Sequence, residues 1–177
     1  MHDEPRLSML PQDTDDAVLK PTFDHFKATR GKVPNLFRIM SRRPAITATL
    51  SAHLGAVTGP GTVDVKFKEL LTVRVSRLND CAYCLASHSL LAKKAGATER
   101  ELDAARDGDW DALPESWRAA LGVADDMTLD HGHVSDDRFA LFREHWNEDQ
   151  VIEIIAVIAA FNYFNRVANA LTIPPTK

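Results

Sequence analysis

Glu69, Cys81, Cys84 and His88 fall in one short stretch of the chain, and their types and spacing suit thiol redox chemistry. With Cys81 at the start of a helix, Cys84 follows three residues on and His88 four beyond that, so all three share one face. A cysteine pair spanning the first helical turn can close a disulfide, because one member is not yet locked into helical geometry. It also sits where unpaired backbone N–H groups and the helix dipole stabilise a thiolate. An ordinary thiol, with a pKa of about 8.5, is mostly protonated at neutral pH, so His88 one turn below Cys84 can accept or relay its proton. Glu69 belongs to the preceding helix, on a partly apolar stripe with Val65, Thr72, Val73 and Ser76. A carboxylate there is costly to bury alone, and a histidine on the adjacent helix is an available partner that it could hold in one tautomer. On this reading Glu69, His88 and Cys84 form a proton relay and Cys81 is the resolving thiol. Two other readings stay open: a structural zinc site using both thiolates, His88 and Glu69, and two small buried cysteines with no chemistry. Glu69 alone could equally cap a helix or pair with Arg74 or Lys66.

The elements that must position these residues read as helices throughout. A short periodic stretch containing Phe23 and Phe26 ends at Gly31, and Val33-Pro34 forces an extended link. Asn35 is placed to cap a helix over 36–40, and Pro44 suits the first turn of one over 45–57. Thr58-Gly-Pro-Gly-Thr62 is a break. Asp64 opens a broadly apolar helix to Leu78. Asn79-Asp80 then interrupts the chain, with Asp80 expected to cap a helix over 81–94 that Gly96 ends. Thr98 to Glu101 is a capping box. Further helices are expected from Pro114 to Met127, from Asp136 to Trp146 behind Ser135, and over 148–171 before Pro174-Pro175. No segment alternates with period two between hairpin turns, so the fold class is all-α, a single-domain helical bundle over 15–177 behind an N-terminal arm over 1–14. The motif core spans 64–96.

The chain has 177 residues, 45% hydrophobic and 26% charged, enough for one domain with a sizeable core and too apolar for intrinsic disorder. A net charge of -4 argues against a general nucleic-acid binder. The greasiest run, from Val151 to Phe161, is short and contains Glu153, so no membrane span is expected. That helix is apolar on more than one face, which favours a central position or a homo-oligomer interface. The N-terminus has acids and a proline where a signal peptide carries basic residues and an apolar core, which leads to an expected cytoplasmic location. Asn162, Asn165 and Asn169 form a polar stripe beside Arg166, either lining the edge of the site or bonding across a subunit interface. Asp130-His-Gly-His133 reads as solvated loop histidines and not as a metal site. The tryptophans and phenylalanines read as core, and His53 and His145 carry no functional expectation.

Glu, twelve residues to the CxxC pair, then three residues to His resembles the core motif of the alkyl hydroperoxidase D-like proteins, a branch of the carboxymuconolactone decarboxylase superfamily. Lys68 to Gly96 carries most of the resemblance. Gly31-Lys-Val-Pro-Asn-Leu-Phe37 and Phe161-Asn-Tyr-Phe-Asn-Arg166 are similar to the peroxidase-related members. The resemblance implies an oligomeric all-helical thiol peroxidase with no bound cofactor, acting on small organic or hydrogen peroxides. It makes Cys84 the peroxide-attacking thiol and Cys81 the one that condenses with its sulfenic acid. Glu69 and His88 move protons, and an external dithiol, thioredoxin-like or lipoyl-type, restores the thiols. Tyr83 departs from well-studied members, which carry a second histidine there; a phenol with an ordinary pKa of about 10 is no near-neutral base. The departure leaves room for a slower peroxidase, or for a redox-responsive binding protein in which the same disulfide switches a partner surface. Tyr83, Ser76, Asn162, Asn165 and Arg166 are the candidates for supporting the site.

Overall fold

The computed structural model describes residues 4–129 and 132–176, and among them every regular element is a helix. Five helices lead up to and include the site: α1 (Lys20–Arg30), α2 (Asn35–Met40), α3 (Pro44–Thr58), α4 (Val65–Leu78) and α5 (Ala82–Lys94). Four follow: α6 (Glu99–Asp107), α7 (Glu115–Leu129), α8 (Asp136–His145) and α9 (Glu148–Ala170), with a single 3₁₀ turn at Trp110–Ala112. Helix α4 is the hub. Phe67, Leu70, Leu71, Val73 and Val75 are fully buried, and the helix packs on α3, α5, α6, α7 and α9. This all-round burial matches its broad apolar coverage, since a helix that is apolar on most faces has no side to give to water.

Several expected caps are present. Gly31 closes α1 in the left-handed conformation, Asp64 accepts from Lys66 N–H, and Thr98 and Glu101 form the reciprocal box. Two caps are assigned differently. Asn35 does not cap α2; it is the helix's first residue, behind Pro34, and its amide donates to Pro174 O at 3.1 Å, tying the C-terminal segment to α2. Asp80 does not cap α5: it ends α4, and Cys81 itself is the α5 cap. Asn147, with Gln150, caps α9 by a second reciprocal box.

Helix α9 is 23 residues long and, by length and composition alone, apolar enough to cross a membrane, contrary to the expectation from its central run. More than half of its apolar window is buried within the fold, with Ile154, Val157 and Ile158 fully enclosed, so it serves here as a core helix. One of its turns also braces the loop before α4. Lys68, wholly buried, donates to Gly59 O at 2.7 Å and pairs with Glu153, whose other oxygen accepts from Thr62 and Val63 N–H groups. Gly61 permits this approach, since a Cβ there would meet the Glu153 carboxylate at 1.9 Å. The N-terminal segment lies on the same chain: Arg6 N–H bonds Leu171 O at 3.0 Å, and Gln12 accepts from Val33 N–H at 2.7 Å. Asp130 and His131 lie outside the described residues; His133 is exposed.

Candidate thiol site

The turn between α4 and α5 presents the cysteines. Asp80 takes a left-handed conformation (φ 51°), Asp80 N–H bonds Arg77 O at 3.1 Å, and Cys81 N–H reaches back to Ser76 O at 2.9 Å. This is the Schellman closure of a helix, with aspartate where glycine is usual. Cys81 therefore ends one helix and begins the next, and its side chain is the N-cap: Sγ accepts from Cys84 N–H at 3.5 Å. Both cysteines are free thiols and both are buried.

The asparagine stripe of α9 grips this turn from within the same chain. Asn79 Nδ2 donates to Asn162 Oδ1 at 2.9 Å, and Asn169 Nδ2 donates to Asn79 O at 2.8 Å. Asn165, fully buried, lies 3.2 Å from both the Asn79 amide and Ser76 Oγ. Arg166 holds Asn162 through its carbonyl and its amide oxygen, at 2.9 and 2.8 Å. The stripe is thus a clamp on the segment that carries Cys81. Asn79 is the member that sequence reasoning missed. A row of three amides on an apolar helix needs a polar partner, and Asn79 beside the break was the available signal.

Electrostatically the two thiols are unequal. A hydrogen bond from the Cys84 thiol lowers the Cys81 pKa; burial opposes this, and the Cys84 and Tyr83 N–H groups and the Asn165 amide reinforce it. Cys84 moves the other way, raised strongly by its hydrogen bond to Cys81, by burial and by the neighbouring thiolate charge. The first proton to leave the pair therefore leaves its charge on Cys81, with Cys84 as donor. Cys84→Ala removes that donor, so thiolate ultraviolet absorbance from Cys81 is expected to titrate at higher pH than the first step of the unsubstituted pair. An unchanged first step would contradict the assignment.

His88 and Glu69 meet as their spacing suggested: Nδ1 lies 2.7 Å from Glu69 Oε2, with both residues buried. A carboxylate can only accept, so Nδ1 carries a proton, and in the neutral ring the lone pair is on Nε2. The ring sits edge-on to Phe161, centroids 4.6 Å apart. Arg74 and Lys66, the other possible partners of Glu69, are engaged elsewhere, with Asp125 and Glu101. His88 and Cys84 line one cavity of about 20 Å³, walled also by Phe37, Tyr83, Phe161 and Phe164; Cys81 is not among its lining residues. Among the described residues no three His, Cys, Asp or Glu side chains converge as metal ligands, so the four-residue zinc arrangement is not formed. Burial pushes the Tyr83 phenol up to about 12, and its oxygen accepts from Leu36 N–H at 3.4 Å and bonds the Thr176 hydroxyl. It is a neutral wall of the cavity that ties α5 to α2.

Residues 44–126, from α3 into α7, match the carboxymuconolactone decarboxylase family profile. The uncharacterized protein YdfG of Bacillus subtilis (strain 168) is 32% identical over 118 residues, 64% of this chain and 79% of its own length. Among solved structures, an uncharacterized peroxidase-related protein from Ralstonia eutropha JMP134, described as an alkylhydroperoxidase AhpD core, superposes with a TM-score of 0.86. It is 23% identical, over 100% of this chain and 95% of that one. A cysteine variant of the debrominase Bmp8 in complex with 2,3,4-tribromopyrrole gives a TM-score of 0.83 at 22% identity, over 95% of this chain and 90% of that one. With its CxxC pair at the head of α5 and an all-helical fold shared with alkylhydroperoxidase D-like, peroxidase-related proteins, the chain belongs to the carboxymuconolactone decarboxylase family.

Proposed function

We propose that the protein is a thiol-dependent peroxidase whose reacting sulfur is Cys84. The observation that carries this reading is that Cys84 and His88 line one small cavity while Glu69 occupies the far nitrogen of the ring. Cys84, held protonated by its neighbours, needs a base, and His88 Nε2 is the ring atom left to serve. The thiolate attacks the distal oxygen of a hydroperoxide. An S–O bond forms, the O–O bond breaks, and the leaving alkoxide takes the proton from His88. Cys81, already the more acidic thiol, then attacks the Cys84 sulfenic acid. An S–S bond forms and the hydroxyl leaves as water. In sum two thiols and one hydroperoxide give a disulfide, an alcohol and water, and an external dithiol is oxidised to restore the pair.

A dithiol of this kind also has the electrons for reductive removal of bromide, the activity named for one fold relative. A cavity of about 20 Å³ takes roughly one water-sized group, which suits the end of a peroxide and not a halogenated ring. Anaerobically reduced protein treated with one equivalent of cumene hydroperoxide tests the proposal. Loss of both free thiols, a mass lower by two hydrogen atoms and continued turnover with excess dithiothreitol are expected. Stoichiometric oxidation without turnover would favour a redox switch, and no oxidation would remove both readings.

A further inference from the structure

The Cys84 cavity is not isolated. Arg30, Pro34 and Ser87 line both it and a surface depression of about 400 Å³ floored by Leu90, Leu91 and Thr176. Arg30 and Leu54 also join it to a second depression of about 370 Å³ on the α1–α3 side. Among the described residues Arg30 is the one common to all three spaces.

The chain carries more acids than bases, 25 against 21, yet among the described residues no aspartate or glutamate lines any of these three spaces. Arg30, Lys32 and Lys94 all line the larger depression. Glu69, the carboxylate bonded to the cavity residue His88, is engaged by that ring. Arg30 is exposed and makes no ion pair among the described residues. Its guanidinium lies over the Phe26 ring, 5.6 Å from the centroid, and Phe26 packs at a tilt against Phe37, a wall of the cavity, with centroids 4.4 Å apart. Its charge is also felt at Tyr83, another wall, where it favours the anionic form. A guanidinium so held at the entrance, with apolar Leu90 and Leu91 beside it, fits an anionic group on an apolar body, and its planar fork matches a carboxylate.

Resting on the peroxidase reading, we propose that Arg30 is a specificity-determining residue, and that the preferred substrates are hydroperoxides bearing a carboxylate on an apolar skeleton. The carboxylate binds Arg30 in the depression, and the hydroperoxide end reaches Cys84 through the cavity.

The test compares cumene hydroperoxide with its 4-carboxylate, which differ only in the anionic group, using wild type, Arg30→Gln and Arg30→Lys with saturating dithiothreitol. In wild type kcat/KM is expected to favour the carboxylate by about tenfold. Arg30→Gln brings that ratio near unity, and Arg30→Lys restores part of it. The same ratio in Arg30→Gln as in wild type, or no preference in wild type, would overturn the proposal. Binding of the unreactive 4-isopropylbenzoate to reduced protein, followed by calorimetry, separates this inference from the peroxidase reading. If wild type turns over neither hydroperoxide, the peroxidase reading fails. Binding of the benzoate that Arg30→Gln weakens about tenfold would then still establish the carboxylate site. Absent binding, or binding indifferent to Arg30→Gln, would remove the site as well.

Discussion

Cys84→Ser is expected to lower hydroperoxide turnover by about 10³-fold or more, because a neutral hydroxyl replaces the one sulfur that lines the cavity among the described residues. Cys81→Ser should behave differently. It keeps Cys84 and His88 and loses the resolving thiol, so one equivalent of peroxide converts Cys84 to a sulfenic acid that dimedone traps, while turnover stops after that event. The assignment of roles is worth this test because acidity and access point to different sulfurs. Cys81 holds the more stable thiolate, at a helix N-cap beneath two backbone N–H groups, yet it stands behind Cys84. If the charge alone decided reactivity, Cys84→Ser would still form a sulfenic acid, at Cys81, and the order of the two steps would be reversed. If access decides, dimedone labels Cys84 in Cys81→Ser and nothing in Cys84→Ser. The buried setting favours access, since a peroxide must reach the sulfur before its protonation state matters.

The partnership of Glu69 with His88 was legible in the sequence, because burying a carboxylate on α4 without a partner is costly and the histidine four residues past Cys84 must face the same side as the cysteines. The caps at the site were not. Asp80 looks like a helix N-cap by residue type, but the closure of α4 takes that position, and the cap falls to Cys81, a residue type seldom considered for it. The asparagine stripe was visible as a stripe and called for a polar partner; Asn79 beside the break was a candidate, but it is 90 residues from Asn169 and only the fold brings the two together. Lys68 and Glu153 illustrate the same limit. Nothing in their spacing joins them, and only the packing of α4 against α9 pairs the buried Lys68 with the partly buried Glu153 and ties down the α3–α4 loop. Arg30 gave no signal either. Its position matters through the cavities it joins, which are properties of α1, α2 and α5 together.

His88→Gln is expected to reduce kcat/KM for hydroperoxide by about 10²-fold at neutral pH, within the range of general-base contributions. Glutamine can still donate to Glu69, so the carboxylate keeps a partner and the fold survives. What disappears is the base for Cys84. The pH profile should change shape accordingly. With His88 present, the histidine takes the Cys84 proton and the rate is expected to level off on the alkaline side. In the His88→Gln variant the amide takes no proton, and solvent hydroxide must ionise a thiol held well above its ordinary range. The rate then climbs with pH without a plateau. Glu69→Gln leaves a hydrogen-bond acceptor opposite Nδ1 but removes the charge that stabilises the imidazolium, and a loss of about tenfold is expected. The combination decides whether the two act as one device. Groups that work as a unit are strongly non-additive, so the double variant should fall little below His88→Gln alone. Losses that multiply would mean that Glu69 supports the protein by another route, and the relay from Glu69 through His88 to Cys84 would have to be abandoned.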